Sequence, residues 1–123
     1  VDCSPANDVK GSQPLSGELG KGTLIRIKDG TMILKPAFRD YLLKLVEAHD
    51  IEHQYYMSPG GTDGGEIHKA NIGIPTAVIG VCARYIHSTD SVFDIRDYFA
   101  ARSLLSEAIC NLDNNQIETL QYK

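Results

Sequence analysis

Residues 76–81, TAVIGV, constrain the fold more than any other stretch of the chain. A continuous apolar, largely β-branched run bounded by Gly73 and Pro75 predicts a strand buried on both faces. Such a strand needs a covering layer on each side, which parallel sheets obtain from crossover helices. Helical patterns flank it. Pro36, Phe38, Tyr41, Leu42, Leu45, Val46 and His49 follow the spacing of one helical face, with proline suited to the first turn and Arg39, Lys44 and Glu47 on the polar side. Asp94 caps a last helix whose Ile95, Tyr98, Phe99, Ala101, Leu105, Ala108, Ile109 and Leu112 form one stripe, expected to face the core.

Between these lie shorter signals. Residues 4–22 carry Gly11, Gly17, Gly20, Gly22, Pro5 and Pro14, a density that predicts a long loop, functional or ordered from outside. Residues 23–28 are β-rich before the Asp29-Gly30 turn and read as an edge strand; residues 53–57 read as another short strand. Pro59-Gly60-Gly61 ends it, and Thr62 or Asp63 caps a helix running to about Asn71. The order β, loop, β, α, β, α, β, α predicts an α/β fold with a mainly parallel sheet covered by helices. Ligands in such sheets bind beyond the carboxyl ends of strands, which nominates residues 2–8, 58–63 and 83–88.

At 123 residues with 42% hydrophobic content, one domain can bury a core without disulfide staples. Cys3, Cys82 and Cys110 form no CxxC pair, which favours reduced thiols and a cytoplasmic location. No window approaches 18 consecutive apolar residues, and no basic-then-apolar leader opens the chain, so a membrane partner and a signal peptide are not expected. The net charge of −4, with no basic stripe, argues against nucleic acid as a partner. The opening triplet Val1-Asp2-Cys3 reads as the end of a strand, and the expectation is that the chain is part of a longer protein.

Candidate chemistry sits in the nominated loops. His87 follows the buried strand, where an imidazole can hold a metal or simply hydrogen-bond a neighbour. Asp2 is a possible hard ligand or a loop-capping aspartate. His49 and His53 read as a solvated pair, since Asp50-Ile51-Glu52 ends the helix between them. Gly60-Gly61 and Gly64-Gly65 flank Thr62-Asp63, either as a tight turn or to let backbone approach a bound peptide. HExxH, GxSxG and phosphate-cradling glycine loops are absent.

The segments VDCSPANDVKG, HQYYMSPGGTDGGEIH, GIPTAVIGVCARYIHS and FDIRDYFAARSLL, in that order, resemble the C-terminal part of the glutamyl aminopeptidase family. These are cytosolic dinuclear metalloaminopeptidases that include deblocking aminopeptidases and homologues labelled endoglucanases. The resemblance runs over essentially the whole chain and covers about the last third of a family member. It implies the C-terminal part of a three-layer sandwich, with residues 1–123 as a single partial domain. It also implies an enzyme that removes N-terminal Glu or Asp from peptides with two divalent metal ions, zinc or cobalt, and assembles as a homo-oligomeric tetrahedral dodecamer.

Carried over by motif, Asp2 matches the acidic ligand of one metal and His87 the histidine of the other. Thr62, Asp63, Gly64, Lys69 and Arg84 are the expected substrate-binding residues. Lys69 and Arg84 are the basic pair available to offset an acidic side chain; the plainer reading makes Lys69 solvated and Arg84 the partner of a structural carboxylate. The family's amino-terminal histidine, bridging aspartate, paired glutamates and inserted β-domain have no counterpart here. No catalytic base is therefore expected in this chain, which alone is expected to be inactive and to need the missing N-terminal part as its partner. A stand-alone, non-catalytic α/β interaction module derived from the same fold is the alternative.

Overall fold

In the computed structural model, which describes residues 1–8 and 16–122, the apolar run leads into the middle strand of a five-stranded sheet. The strands are β1 (Asp2–Pro5), β2 (Thr23–Lys28), β3 (His53–Met57), β4 (Ile79–Arg84) and β5 (Val92–Phe93), and the helices are α1 (Pro36–Ala48), α2 (Asp63–Lys69), α3 (Ile95–Cys110) and α4 (Asn114–Tyr122). The strand order is β1-β4-β2-β3, with β5 beside the end of β4. The sheet is mostly parallel: β1 pairs in parallel with β4, and β2 with β3, while β2 and β5 meet β4 in short antiparallel junctions.

Four expectations are corrected. The strand begins at Ile79, three residues later than the apolar run: Thr76, Ala77 and Val78 line a cavity, and Val78 meets β2 through its carbonyl, which accepts from the Arg26 N–H at 3.2 Å. Ser4 and Pro5 belong to β1 rather than to a loop, and residues 9–15 of the expected loop lie outside the described residues. β2 is an interior strand, not an edge. Its imperfect alternation reflects burial of both faces, with Thr23 donating from Oγ1 to the Gly80 carbonyl (3.0 Å) and Arg26 also buried.

The fourth correction concerns α3. Asp94 caps it as expected, accepting from the Arg96 N–H. Of the expected stripe, Ala101 and Ala108 face the core, joined by Leu104 and Ala100 from outside it. The large members Ile95, Tyr98, Phe99, Leu105 and Ile109 are 36–65% exposed. Helical period identifies an apolar stripe but cannot say which edge of it, the small side chains or the large, is turned to the sheet.

The main core joins Ile25 and Ile79 of the sheet to Leu42, Leu45 and Val46 of α1, Leu104 of α3 and Leu120 of α4. Burying each large side chain contributes about 1.5–3 kcal/mol. The opposite face of the sheet carries a smaller cluster of Leu24, Tyr56 and Cys82. That face also presents the polar groups of the site.

Candidate functional site

A cavity of about 560 Å³ opens along β1; its walls include Asp2, Cys3, Arg26, the turn at residues 58–64, Val78 and His87. Its placement follows from strand direction. β1 and β4 run opposite to β2 and β3, so the turn after β3 lies at the end of the sheet where β1 begins. The segment after β4 leaves from the other end. The cavity therefore runs along the edge strand instead of sitting at one rim.

Asp2 stands opposite Gly80, its side chain about half exposed, with Oδ2 3.7 Å from Arg26 Nη2. His87 is exposed and makes no hydrogen bond among the described residues; its backbone and that of Tyr85 are left-handed, with φ of 61° and 60°. Two such residues in one loop store about 1–3 kcal/mol each, held here by the Ser88 and Ser91 hydroxyls, both of which donate to the Tyr85 carbonyl. The loop thus presents the imidazole in a fixed local conformation. Carboxylate and imidazole are the right donor types for a divalent ion, and both line this cavity. Among the described residues, no three His, Cys, Asp or Glu side chains converge to hold one. The two fit as contributions to a larger ligand set.

Thr62 caps α2 by position but not by side chain: its Oγ1 is buried with no hydrogen-bond partner among the described residues. An orphaned hydroxyl of this kind costs about 1–3 kcal/mol unless something in the cavity pairs with it. Asp63 and Gly64 line the same wall. The surrounding glycines serve internal packing: a Cβ on Gly65 would lie 2.0 Å from Thr31 Oγ1, and one on Gly61 would lie 2.5 Å from Thr31 Cγ2.

Lys69 and Arg84 are not brought to this cavity. Lys69 lies in the last turn of α2 and pairs with Glu66 at 3.2 Å. Arg84 ends β4 at the far side of the sheet, where its fork meets Asp8. His49 and His53 are also separated, His49 lying 3.3 Å from Glu107 at the end of α1 and His53 opening β3.

Arg26 puts a guanidinium on the cavity wall, which reading residues 23–28 as an edge strand missed. It is 3% exposed, lies 5.5 Å over the Tyr56 ring, and donates to Asp29 Oδ2 (3.1 Å) and Ser4 Oγ (2.7 Å). Burial alone would raise the Asp29 pKa. Hydrogen bonds from the Thr31 hydroxyl and N–H, from Arg26 and from the Met32 N–H more than offset this and hold it below the usual carboxylate range. An aspartate three residues after an arginine in a β-rich run was the available signal. Cys3, also on the wall, has its thiol pKa raised by partial burial and by the Asp2 charge, which keeps it a poor nucleophile.

The molecule is thus an α/β domain with a cavity along its edge strand, lined by a carboxylate, an imidazole and a glycine-rich helix entry. The family model of the M42 glutamyl aminopeptidases matches residues 1–104. The glutamyl aminopeptidase of Lactococcus lactis subsp. cremoris (strain MG1363) is 40% identical over 121 residues, covering 98% of this chain and 34% of that protein. The TET aminopeptidase from the marine sediment archaeon Thaumarchaeota archaeon SCGC AB-539-E09 has a similar structure, with a TM-score of 0.90 at 30% identity over 97% of this chain and 34% of its own. The TET1 peptidase of Pyrococcus horikoshii, which can assemble into a tetrahedron or a large octahedral shell, gives 0.69 at 26% identity over 87% and 30%. The chain belongs to the M42 glutamyl aminopeptidase family. It spans about a third of the length of these relatives. No helix among the described residues is long and apolar enough to cross a membrane.

Proposed function

We propose that residues 1–123 are one partial domain, the C-terminal portion of a metal-dependent aminopeptidase, and that the cavity along β1 receives the amino-terminal end of a peptide. The observation that carries this reading is the convergence of Asp2, residues 62–64 and His87 from three separate segments on one cavity. Asp2 and His87 each hold one of two divalent ions, zinc or cobalt, whose remaining ligands and general base come from the rest of the protein. Such ions supply a water acidic enough to attack a peptide carbonyl near neutral pH.

The chain's own residues bind and orient. Asp2 offers its carboxylate from the edge strand, and the left-handed loop fixes the backbone that carries His87. Asp63, exposed on the cavity wall, is available to a protonated α-amino group. Lys69 and Arg84 are committed to Glu66 and Asp8, so this reading gives them no part in selecting an acidic side chain. A preference for Glu or Asp would rest on cations outside these residues. A cytoplasmic, homo-oligomeric enzyme completes the proposal, supported by the assembly of the Pyrococcus relative.

Calorimetric titration with zinc and cobalt tests it. Weak binding by this chain, tightening when the rest of the protein is supplied in trans, is the expected result. Tight binding by the chain alone, lost in His87→Ala, would overturn the division of ligands.

A further inference from the structure

We infer that Arg26 is a positioning residue for Asp2, fixing which carboxylate oxygen is free to meet a divalent cation. The inference deepens the reading above and rests on it. The two residues sit on strands that do not touch: β4 lies between β1 and β2. Adjacent strands are about 4.8 Å apart, so a side chain on β2 must span about 10 Å to act on β1. The middle strand makes this possible at Gly80, opposite both Leu24 and Asp2, where a Cβ would lie 3.1 Å from Leu24 Cβ and 3.2 Å from Ser4 Oγ. Without a side chain there, the guanidinium of Arg26 reaches over β4 to the β1 hydroxyl of Ser4 at 2.7 Å, placing Nη2 3.7 Å from Asp2 Oδ2.

Each end of the fork is fixed. Nη1 is held by Asp29, itself locked by three further hydrogen bonds from Thr31 and Met32, while Nη2 is held by Ser4. The guanidinium therefore faces Asp2 as a rigid group, with Nη2 3.7 Å from Oδ2. Outer partners of metal-binding carboxylates act this way, and their loss commonly weakens metal affinity about 10–100-fold. The competing role, a counter-charge for an acidic substrate, fits less well. Arg26 is almost wholly buried and already faces two carboxylates, Asp29 and Asp2, so the trio carries net negative charge.

The test is titration of the 123-residue chain carrying His87→Ala, which removes the second expected ligand from the cavity, with Mn²⁺, following paramagnetic broadening of the NMR signals of Asp2 and Ser4. Arg26→Lys in that background keeps the charge and removes the fork. It should require about ten-fold more Mn²⁺ for equal broadening, with the metal-free spectrum unchanged outside the neighbourhood of β1, which a general structural loss would not leave intact. An unchanged dose, with Asp2→Asn still abolishing the broadening, would overturn the positioning role and leave the ligand reading intact. Broadening at residue 2 that survives Asp2→Asn in this background would overturn both. If Arg26→Lys does not fold, Ser4→Ala keeps the Arg26–Asp29 pair and should shift the Asp2 dose in the same direction; no shift there also overturns the inference.

Discussion

Arg84 and Asp8 meet fork to fork, Nε to Oδ1 and Nη2 to Oδ2, both at 2.9 Å. Asp8 also accepts from the Leu19 N–H at 3.3 Å, so the pair ties residues 8 and 19 to the end of β4. The Arg84 hydrogen bonds hold the Asp8 carboxyl below its ordinary value, outweighing the opposing effect of burial. A depressed folded-state pKa contributes stability that is present above the unfolded value of about 4 and is lost as pH falls through the folded one. Asp8→Asn should therefore flatten the acid limb of a stability-against-pH curve, measured by urea unfolding between about pH 2 and 6. An unchanged acid limb would show that the pair adds nothing to stability.

Asp97 is fully buried in the first turn of α3, where its two oxygens accept from the Gly20 and Gly22 N–H groups, each at 2.8 Å. Asp97→Ala strands both donors, the Gly22 N–H at a buried site and the Gly20 N–H at a partly buried one, at about 1–3 kcal/mol for each. A loss of about 2–5 kcal/mol in urea unfolding is expected. Asp97→Asn keeps an acceptor for one donor and should lose less. A loss in Asp97→Asn equal to that in Asp97→Ala would mean that one remaining acceptor at full side-chain volume does not hold this loop.

Gly65 has the same standing for the cavity wall. A methyl group there would lie 2.0 Å from Thr31 Oγ1 and 2.5 Å from Thr31 Cβ, so Gly65→Ala must push α2 away from Thr31. Overpacking of this kind costs about 1–3 kcal/mol. Pairing Gly65→Ala with Thr31→Gly removes the opposing atoms, and a double-mutant cycle should show recovery relative to the summed single effects. Strict additivity would mean that the wall is not set by this contact.

What was legible in the sequence divides along physical lines. α1 and β3 could be read because strong periodicity, a first-turn proline and flanking breakers coincide. Pro36 starts α1, and Tyr41, Leu42, Leu45 and Val46 are the side chains it buries. Asp2, residues 62–64 and His87 were legible as a set through the family resemblance, and their gathering on one cavity needed the fold. Arg26 was not legible, because an arginine in a β-rich run reads as solvated until strand order puts β2 inside the sheet. β5 and α4 went unread: a two-residue strand has no period, and α4 buries Leu120 but is otherwise largely polar.

The outward stripe of α3 has its own consequence. Ile95, Tyr98, Phe99, Leu105 and Ile109 recur at helical spacing on one side, each at least 36% exposed, and apolar side chains grouped this way favour association. Copies of this chain should therefore associate as concentration rises, and Phe99→Glu with Ile109→Glu should reduce that association without lowering the melting temperature. Sedimentation velocity over a concentration series reads both chains. A wild-type chain that stays monomeric throughout would show that the stripe is not adhesive by itself.

The last expectation concerns turnover. Removing an N-terminal residue by hydrolysis needs a base within reach of the attacking water, and the carboxylates on the cavity wall among the described residues are Asp2 and Asp63. Asp8 is held by Arg84, Glu66 pairs with Lys69, and Asp2 faces Arg26. Asp29 is locked by four donors away from water. Asp63 remains, on the cavity wall at the entry of α2 and without a hydrogen-bond partner among the described residues. We assign it an ionic contact with an α-amino group, not proton abstraction. Residues 1–123 alone should thus release no chromophore from Glu- or Leu-anilides with zinc or cobalt present. Supplying the rest of the protein should restore activity, and Asp63→Asn should then raise KM more than it lowers kcat. Turnover by the 123-residue chain that disappears in both His87→Ala and Asp63→Asn would instead make Asp63 the base and this chain sufficient for the chemistry.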